Sequence, residues 1–289
     1  MLLSKEEVYE KIASSPSLPA IPEQGDDILQ MLQSPDTFDL ESLADLLERE
    51  PTISDFFLRQ VNKLTLAEHL SVKEAVLFLG ANSSRNILIY FFLSLFHPQG
   101  RKKHSPDRKF DVRHYWLHDL CTSLAADSIA QLVGYKENFR LFSYGLLHDL
   151  GMLVLDACLA EEIDEICTHA LAGMHPLVAE KKVLGGLTHA DIGGWVCRRW
   201  NFSDDIISIV RYHHTPYLAP VLTDELKILY VANTIGMTYY AELLQLDAVV
   251  AVADKRILKT LGLDQADVKR LGEDLPEKVQ SFRERFLEI

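Results

Sequence analysis

Tyr144-Gly145-Leu146-Leu147-His148-Asp149-Leu150-Gly151-Met152 carries an imidazole and a carboxylate side by side through an otherwise apolar stretch. A helix of this composition belongs in a protein core, and a carboxylate buried there without a partner is costly. The pair therefore needs a metal ion, a hydrogen-bond network or a cationic neighbour. Outward from it, apolar residues recur three and four positions apart over nearly the whole chain. Gly and Pro number only 14 and 11 in 289 residues. An all-α fold is expected, with no strand pairs and no internal repeats.

Several helix boundaries can be read directly. Leu40, Leu43, Ala44 and Leu47 share one face of a helix over 39–50, with Asp39 positioned to accept from the free first-turn amides. Phe38 and Leu43 have the spacing of a hydrophobic staple, and Pro51 ends the segment. Ser71-Val72-Lys73-Glu74 is a capping box before a short helix that Gly80 terminates. The 86–96 segment is apolar on all sides and is expected at the centre of the N-terminal part. Leu117, Leu120, Cys121, Leu124, Ser128 and Leu132 trace one helical face that stops at Gly134. Further helices are expected at about 138–149, 152–171, 176–185, 189–200, 204–214 and 223–242, followed by C-terminal helices. Between Phe96 and Phe110 lies a run with turn formers, five Lys/Arg and no aliphatic residue. It reads as a solvated linker; a phosphate ligand or acidic partner is the other reading, and no site is assigned to it.

The balance of 29 Lys plus Arg against 42 Asp plus Glu gives a net charge of −13. Such a surface repels phosphate backbones and argues against general nucleic-acid binding. The longest apolar run, Ile87 to Phe96, is about half of the ~20 residues that cross a bilayer, so no membrane span is expected. Met1-Leu2-Leu3-Ser4-Lys5-Glu6-Glu7 has neither signal-peptide nor transit-peptide character, and a cytoplasmic location is expected. Cys121, Cys158, Cys167 and Cys197 form no Cys-x-x-Cys pair and read as small apolar residues.

The 11 histidines are more informative in their order than in their number. His118 lies near the edge of an apolar helical face, Thr188-His189-Ala190-Asp191 begins a helix, and Tyr212-His213-His214-Thr215-Pro216 ends another. Each alone reads as an ordinary core or surface residue. Together with Asp149 they form an imidazole and carboxylate set suited to zinc, iron, nickel or manganese.

The order His118, His148-Asp149, His189, His213-His214 resembles the HD superfamily of metal-dependent phosphohydrolases. Leu18-Pro19-Ala20-Ile21-Pro22, Glu48-Arg49-Glu50-Pro51, Arg59-Gln60-Val61-Asn62, Ala75-Val76-Leu77-Phe78-Leu79-Gly80, Trp116-Leu117-His118 and Leu146 to Gly151 narrow the resemblance to the HDOD family, bacterial signalling relatives of the HD enzymes. It covers about residues 16–240. The resemblance implies an N-terminal helical lobe over 16–100 packed on an HD-like lobe over 110–240 that carries the metal site, with 241–289 as a C-terminal helical extension. It further implies that His118, His148 and Asp149 hold one divalent transition-metal ion, and that Asp149 bridges to a second held by His189, His213 and His214.

The resemblance also exposes departures. Asn233 stands where HD enzymes place a final Asp ligand, Met152 stands where the family often has Lys, and no Gly-Tyr-Pro follows His213-His214. A neutral amide attracts a divalent cation less than a carboxylate does. The implied function is a metal-binding signal-transduction module, catalytically weak or inactive, acting with signalling proteins in trans and with a phosphate-containing small molecule as a further partner. The alternative is an active phosphohydrolase of a nucleotide or other phosphate ester, with Asp149 as its catalytic residue.

Overall fold

Side-chain caps set the starts of many helices. In the computed structural model, which describes residues 3–33, 38–64, 70–96, 108–136, 140–244 and 252–286, every regular element among those residues is helical. Ser4 and Glu7 close a capping box on α1 (Lys5–Ser14). The acidic first turn of α2 (Gly25–Gln33) matches the helix dipole. Asp39 Oδ2 accepts from the Ser42 amide at 2.8 Å and starts α3 (Leu40–Arg49). Pro51 does more than end that helix: it is the first residue of α4 (Pro51–Leu64), where a missing amide hydrogen costs nothing. The Ser71 capping box starts α5 (Val72–Ser94). Gly80 interrupts it with φ 72° and ψ 179°, and the helix resumes at once instead of ending there.

The expected linker falls mostly outside the described residues, which omit 97–107. Its last Arg is not solvated as expected. Arg108 donates from Nε to Asp164 at 2.7 Å and from Nη2 to Asp156 at 2.6 Å, so two carboxylates fix the entry to the next helix.

The remaining helices are α6 (Val112–Val133), α7 (Leu141–Leu147), α8 (Leu150–Cys158), α9 (Ala160–Leu171), α10 (Pro176–Val183), α11 (His189–Arg199), α12 (Asp204–Tyr212), α13 (Asp224–Leu243), α14 (Lys255–Leu261) and α15 (Gln265–Phe286), with a 3-10 turn at Pro216–Leu218. Gly134 caps α6 in the left-handed conformation, but Leu132, expected on the buried face, is half exposed. The expected 152–171 helix is two helices. Leu159 leaves helical geometry at φ −134° and ψ 52°, and its amide closes α8 while its carbonyl opens α9.

α6 packs against α7, α13 and α15; α8 packs on α11, α11 on α12, and α5 joins α3 and α4 to α7. Buried apolar residues from Val8 to Val279 form one connected core. By length and apolar composition alone, Val72–Ser94 and Leu141–Cys158 could each cross a membrane. The second is 89% buried within the protein and contains His148 and Asp149, and the first is broken at Gly80 and packed on three other helices.

The approach of α8 to α11 requires glycine. A Cβ at Gly151 would lie 1.9 Å from the His189 carbonyl oxygen and 3.0 Å from the Gly193 nitrogen, both unyielding backbone atoms. Gly151→Ala should lower unfolding stability by at least about 1–3 kcal/mol. Gly272→Ala, whose Cβ would meet only Ile235 Cγ2 at 3.5 Å, should be neutral or stabilising by roughly 0.5–1 kcal/mol. Urea unfolding of the two variants measures this contrast, and equal midpoints would refute the close-packing account.

Candidate metal centre

Five helices deliver the expected side chains to one place. His118 comes from the middle of α6, His148-Asp149 from the break between α7 and α8, and His189 from the first position of α11. His213 and His214 directly follow α12, and Asn233 lies on α13. His118, His148 and His213 are fully buried, His189 and Asp149 nearly so, and His214 is partly exposed. His118 is therefore interior, not at the edge of its face.

Asp149 divides the cluster. Its Oδ2 lies 3.2 Å from both His118 Nε2 and His148 Nε2, which are themselves 3.2 Å apart. Its Oδ1 lies 3.1 Å from His189 Nε2 and 3.2 Å from His213 Nε2, without a directed hydrogen bond from either. His189 Nε2 is also 3.3 Å from His213 Nε2 and 3.1 Å from His214 Nε2. Tyr115 donates its hydroxyl to Asp149 Oδ2 at 2.7 Å.

The opposite ring nitrogens fix the tautomers. His148 Nδ1 donates to the Gly145 carbonyl at 2.6 Å, and His213 Nδ1 donates to the Val210 carbonyl at 2.8 Å. His189 Nδ1 donates to Glu180, 2.8 Å from Oε2, and the same carboxylate accepts from the His189 amide at 2.8 Å. In neutral rings the Nε2 atoms then present lone pairs to one another and to a carboxylate. One proton can mediate one such pair, whereas these nitrogens face two or three acceptors each. Four ligands at about 2.1 Å from a cation stand roughly 3.0–3.4 Å apart, so the observed edges fit an ion on either side of Asp149.

The electrostatics agree. Burial alone would raise the Asp149 carboxyl, but the surrounding imidazoles, with His148 and His189 foremost and His118 beside them, hold it well below the usual range. Burial opposes protonation of His189, yet Glu180 and Asp149 together raise it well above an ordinary histidine. Burial pushes His213 down to about 4 and also lowers His214, so those rings stay neutral near pH 7 and available as ligands. The chain thus carries two His/Asp clusters able to hold a metal ion: Asp149 with His189, His213 and His214, and Asp149 with His118, Asp119 and His148.

Asn233 is buried in the same region. Its Nδ2 lies 3.5 Å from His214 Nδ1, and its Oδ1 has no hydrogen-bond partner. It therefore borders the His214 side of the cluster. Met152 is buried in α8 and offers no charge. Three site residues escaped the sequence reading: Tyr115, Asp119 and Glu180. Asp119 had a signal, since His118-Asp119 is a second His-Asp dipeptide. Glu180 had none, because it reaches His189 from another helix.

Among known proteins, the family model described as the HDOD domain matches residues 18–216 of the chain, a span that ends before α13. A curated relative from Treponema pallidum (strain Nichols), described as an uncharacterized protein, is 25% identical over 209 residues. Those residues are 70% of this chain and 39% of that protein, so the chain spans well under half the length of the relative it matches. A solved structure from Marinobacter aquaeolei VT8, provisionally described as a signal transduction protein, superposes with TM-score 0.71 at 20% identity, over 97% of this chain and 64% of that one. Another from Shewanella amazonensis SB2B, provisionally described as a phosphohydrolase, has TM-score 0.67 at 19% identity, over 97% and 96% of the two chains. Both likenesses are of fold.

The Glu180 carboxylate should matter even without metal. Glu180→Gln keeps the shape but turns one acceptor into a donor facing the His189 N–H groups, at a cost of about 1.5–3 kcal/mol. Urea unfolding in chelator reads this loss, and an unchanged midpoint would remove Glu180 from the architecture of the site.

Proposed function

Because the chain belongs to the HDOD family, we propose that it is a metal-binding signal-transduction module whose HD-type site has little or no catalytic power. The observation that carries this reading is the composition of the site. Imidazole nitrogens converge on both oxygens of Asp149. Tyr115, Asp119, Glu180, Asn233 and Tyr240 contact these ligands, and none of the five is a Lys or Arg. The ligands suit one or two divalent transition-metal ions, with iron, manganese, nickel and zinc as the candidates. His118, His148 and Asp149 would hold one, and Asp149, His189, His213 and His214 the other, with Asn233 beside them.

A bound ion would polarise a phosphoryl oxygen and acidify a water. At the position where the resemblance would place a Lys to receive the rest of a phosphate stands Met152, which is buried and carries no charge. Signalling proteins supplied in trans are the proposed partners, in keeping with the description of the Marinobacter protein. The second reading, hydrolysis of a nucleotide or other phosphate ester with Asp149 as the catalytic residue, is favoured by the two-sided arrangement around that carboxylate.

Protein purified without an affinity tag should carry a transition metal by elemental analysis, and His148→Ala should lower its content. Hydrolysis of nucleotide monophosphates, cyclic dinucleotides and model phosphodiesters should be weak or absent. Turnover that follows metal loading and vanishes in Asp149→Asn would establish the hydrolase instead.

Asn233→Asp adds one negative charge beside the cluster with little change of shape. Its thermal stability should fall below that of the parent in chelator, by about 1–3 kcal/mol, and recover with saturating metal. Equal loss in both conditions would make Asn233 a packing residue without influence on an ion.

A further inference from the structure

Asp119 is the one carboxylate in the cluster without a hydrogen-bonding role. It is fully buried on α6, and neither of its oxygens has a hydrogen-bond partner. One of its oxygens lies within 4.8 Å of ligand atoms of His118, His148 and Asp149, and its Oδ1 is 3.9 Å from His148 Nδ1. Successive residues of a helix point about 100° apart. His118 and Asp119 therefore approach His148 from two sides, His118 at Nε2 and Asp119 near Nδ1.

We propose that Asp119 supplies the second carboxylate charge of the ion site built on His118, His148 and Asp149. This rests on the metal-binding reading. A carboxylate in such a position has no value to the packing of the protein: an uncompensated acid in the interior destabilises the fold, and an apolar or amide side chain of similar size would serve better. A divalent cation reverses that balance. With Asp149 shared between two sites, an ion beside His118 and His148 would otherwise face half of one negative charge. The other side has its own counterpart in Glu180, which stands behind His189 as Asp119 stands near His148. Carboxylates placed behind ligand histidines raise ligand basicity and orient the ring. Glu180 is engaged in both hydrogen bonds that its position allows, whereas Asp119 is left with its charge for the ion.

The test measures Mn2+ affinity by calorimetric titration, and thermal stability in chelator and in saturating Mn2+, for the full chain and for Asp119→Asn and Asp119→Ala. Asp119→Asn should bind Mn2+ roughly 10- to 100-fold more weakly. In chelator it should melt at or above the temperature of the parent, and it should lose most of the stabilisation that Mn2+ gives the parent. Asp119→Ala should weaken Mn2+ binding by a similar factor. A parent that binds Mn2+ and an Asp119→Asn variant that binds it equally well would overturn this proposal while leaving the metal-binding reading intact. If both variants are less stable than the parent in chelator, Asp119 is a packing residue and the proposal fails in the same way. A parent that takes up neither Mn2+ nor iron, nickel or zinc would overturn both readings.

Discussion

The Asp149 carboxylate faces nitrogens from the adjacent His148 and from three other segments, and the local backbone puts it there. Within an unbroken helix, His148 and Asp149 would point about 100° apart and would approach a common point from two different sides. Here α7 ends at Leu147, and Asp149 leaves helical geometry at φ −103° and ψ 22° before α8 begins. That break brings His148 Nε2 to 3.2 Å from Asp149 Oδ2 and turns Oδ1 toward α11 and α12. Both residues remain in an apolar interior, so the bend is held by packing on all sides.

Packing this close depends on missing side chains. Gly151 lets α8 touch the backbone at His189, and Gly145 lets α7 lie on Ser123 of α6, where a Cβ would stand 2.4 Å from the Ser123 Cα. The two contacts set the height of His189 and of His148 relative to Asp149. Such contacts are between backbones, which relax little, so the spacing of these side chains is set by the fold itself. Preorganisation of this kind spares a ligand the cost of ordering its site.

The clustered histidines and Asp149 were legible in the sequence because each is a local anomaly: a polar or ionisable residue in an apolar helix or at a helix end. Caps were legible for the same reason, as the Asp39 and Ser71 starts show. Leu159 was not, because a break between two apolar helices with no Gly or Pro is decided by what packs around it. Pro51 was read as a stop, although the same chemistry that stops one helix is favourable at the first position of the next. Glu180 was invisible because an acidic residue on an amphipathic helix is ordinarily solvent-facing, and only the fold turns it onto His189. Asn233 illustrates a subtler limit: a position can be assigned to a ligand set by pattern while its neighbour, His214 here, is settled only in three dimensions.

The distribution of charge bears on how an ion could be used. Beside Asp149 stand two further carboxylates, Asp119 and Glu180, while described arginines are committed elsewhere: Arg108 to Asp156 and Asp164, Arg113 to Asp111, and Arg140 to Asp205. An anionic substrate would meet the carboxylates of Asp119, Glu180 and Asp149. A cation alone meets the opposite situation, since every ligand becomes more favourable as its lone pair is used. Its ligands span α6, the α7–α8 break, α11 and the end of α12, so binding would tie together helices that otherwise meet through apolar contacts. Free energy of binding released across such a junction stabilises the assembled arrangement over any looser one. On the proposed reading, occupancy of the site then controls the rigidity of the surrounding surface, which is the property a partner protein can sense without any bond being broken.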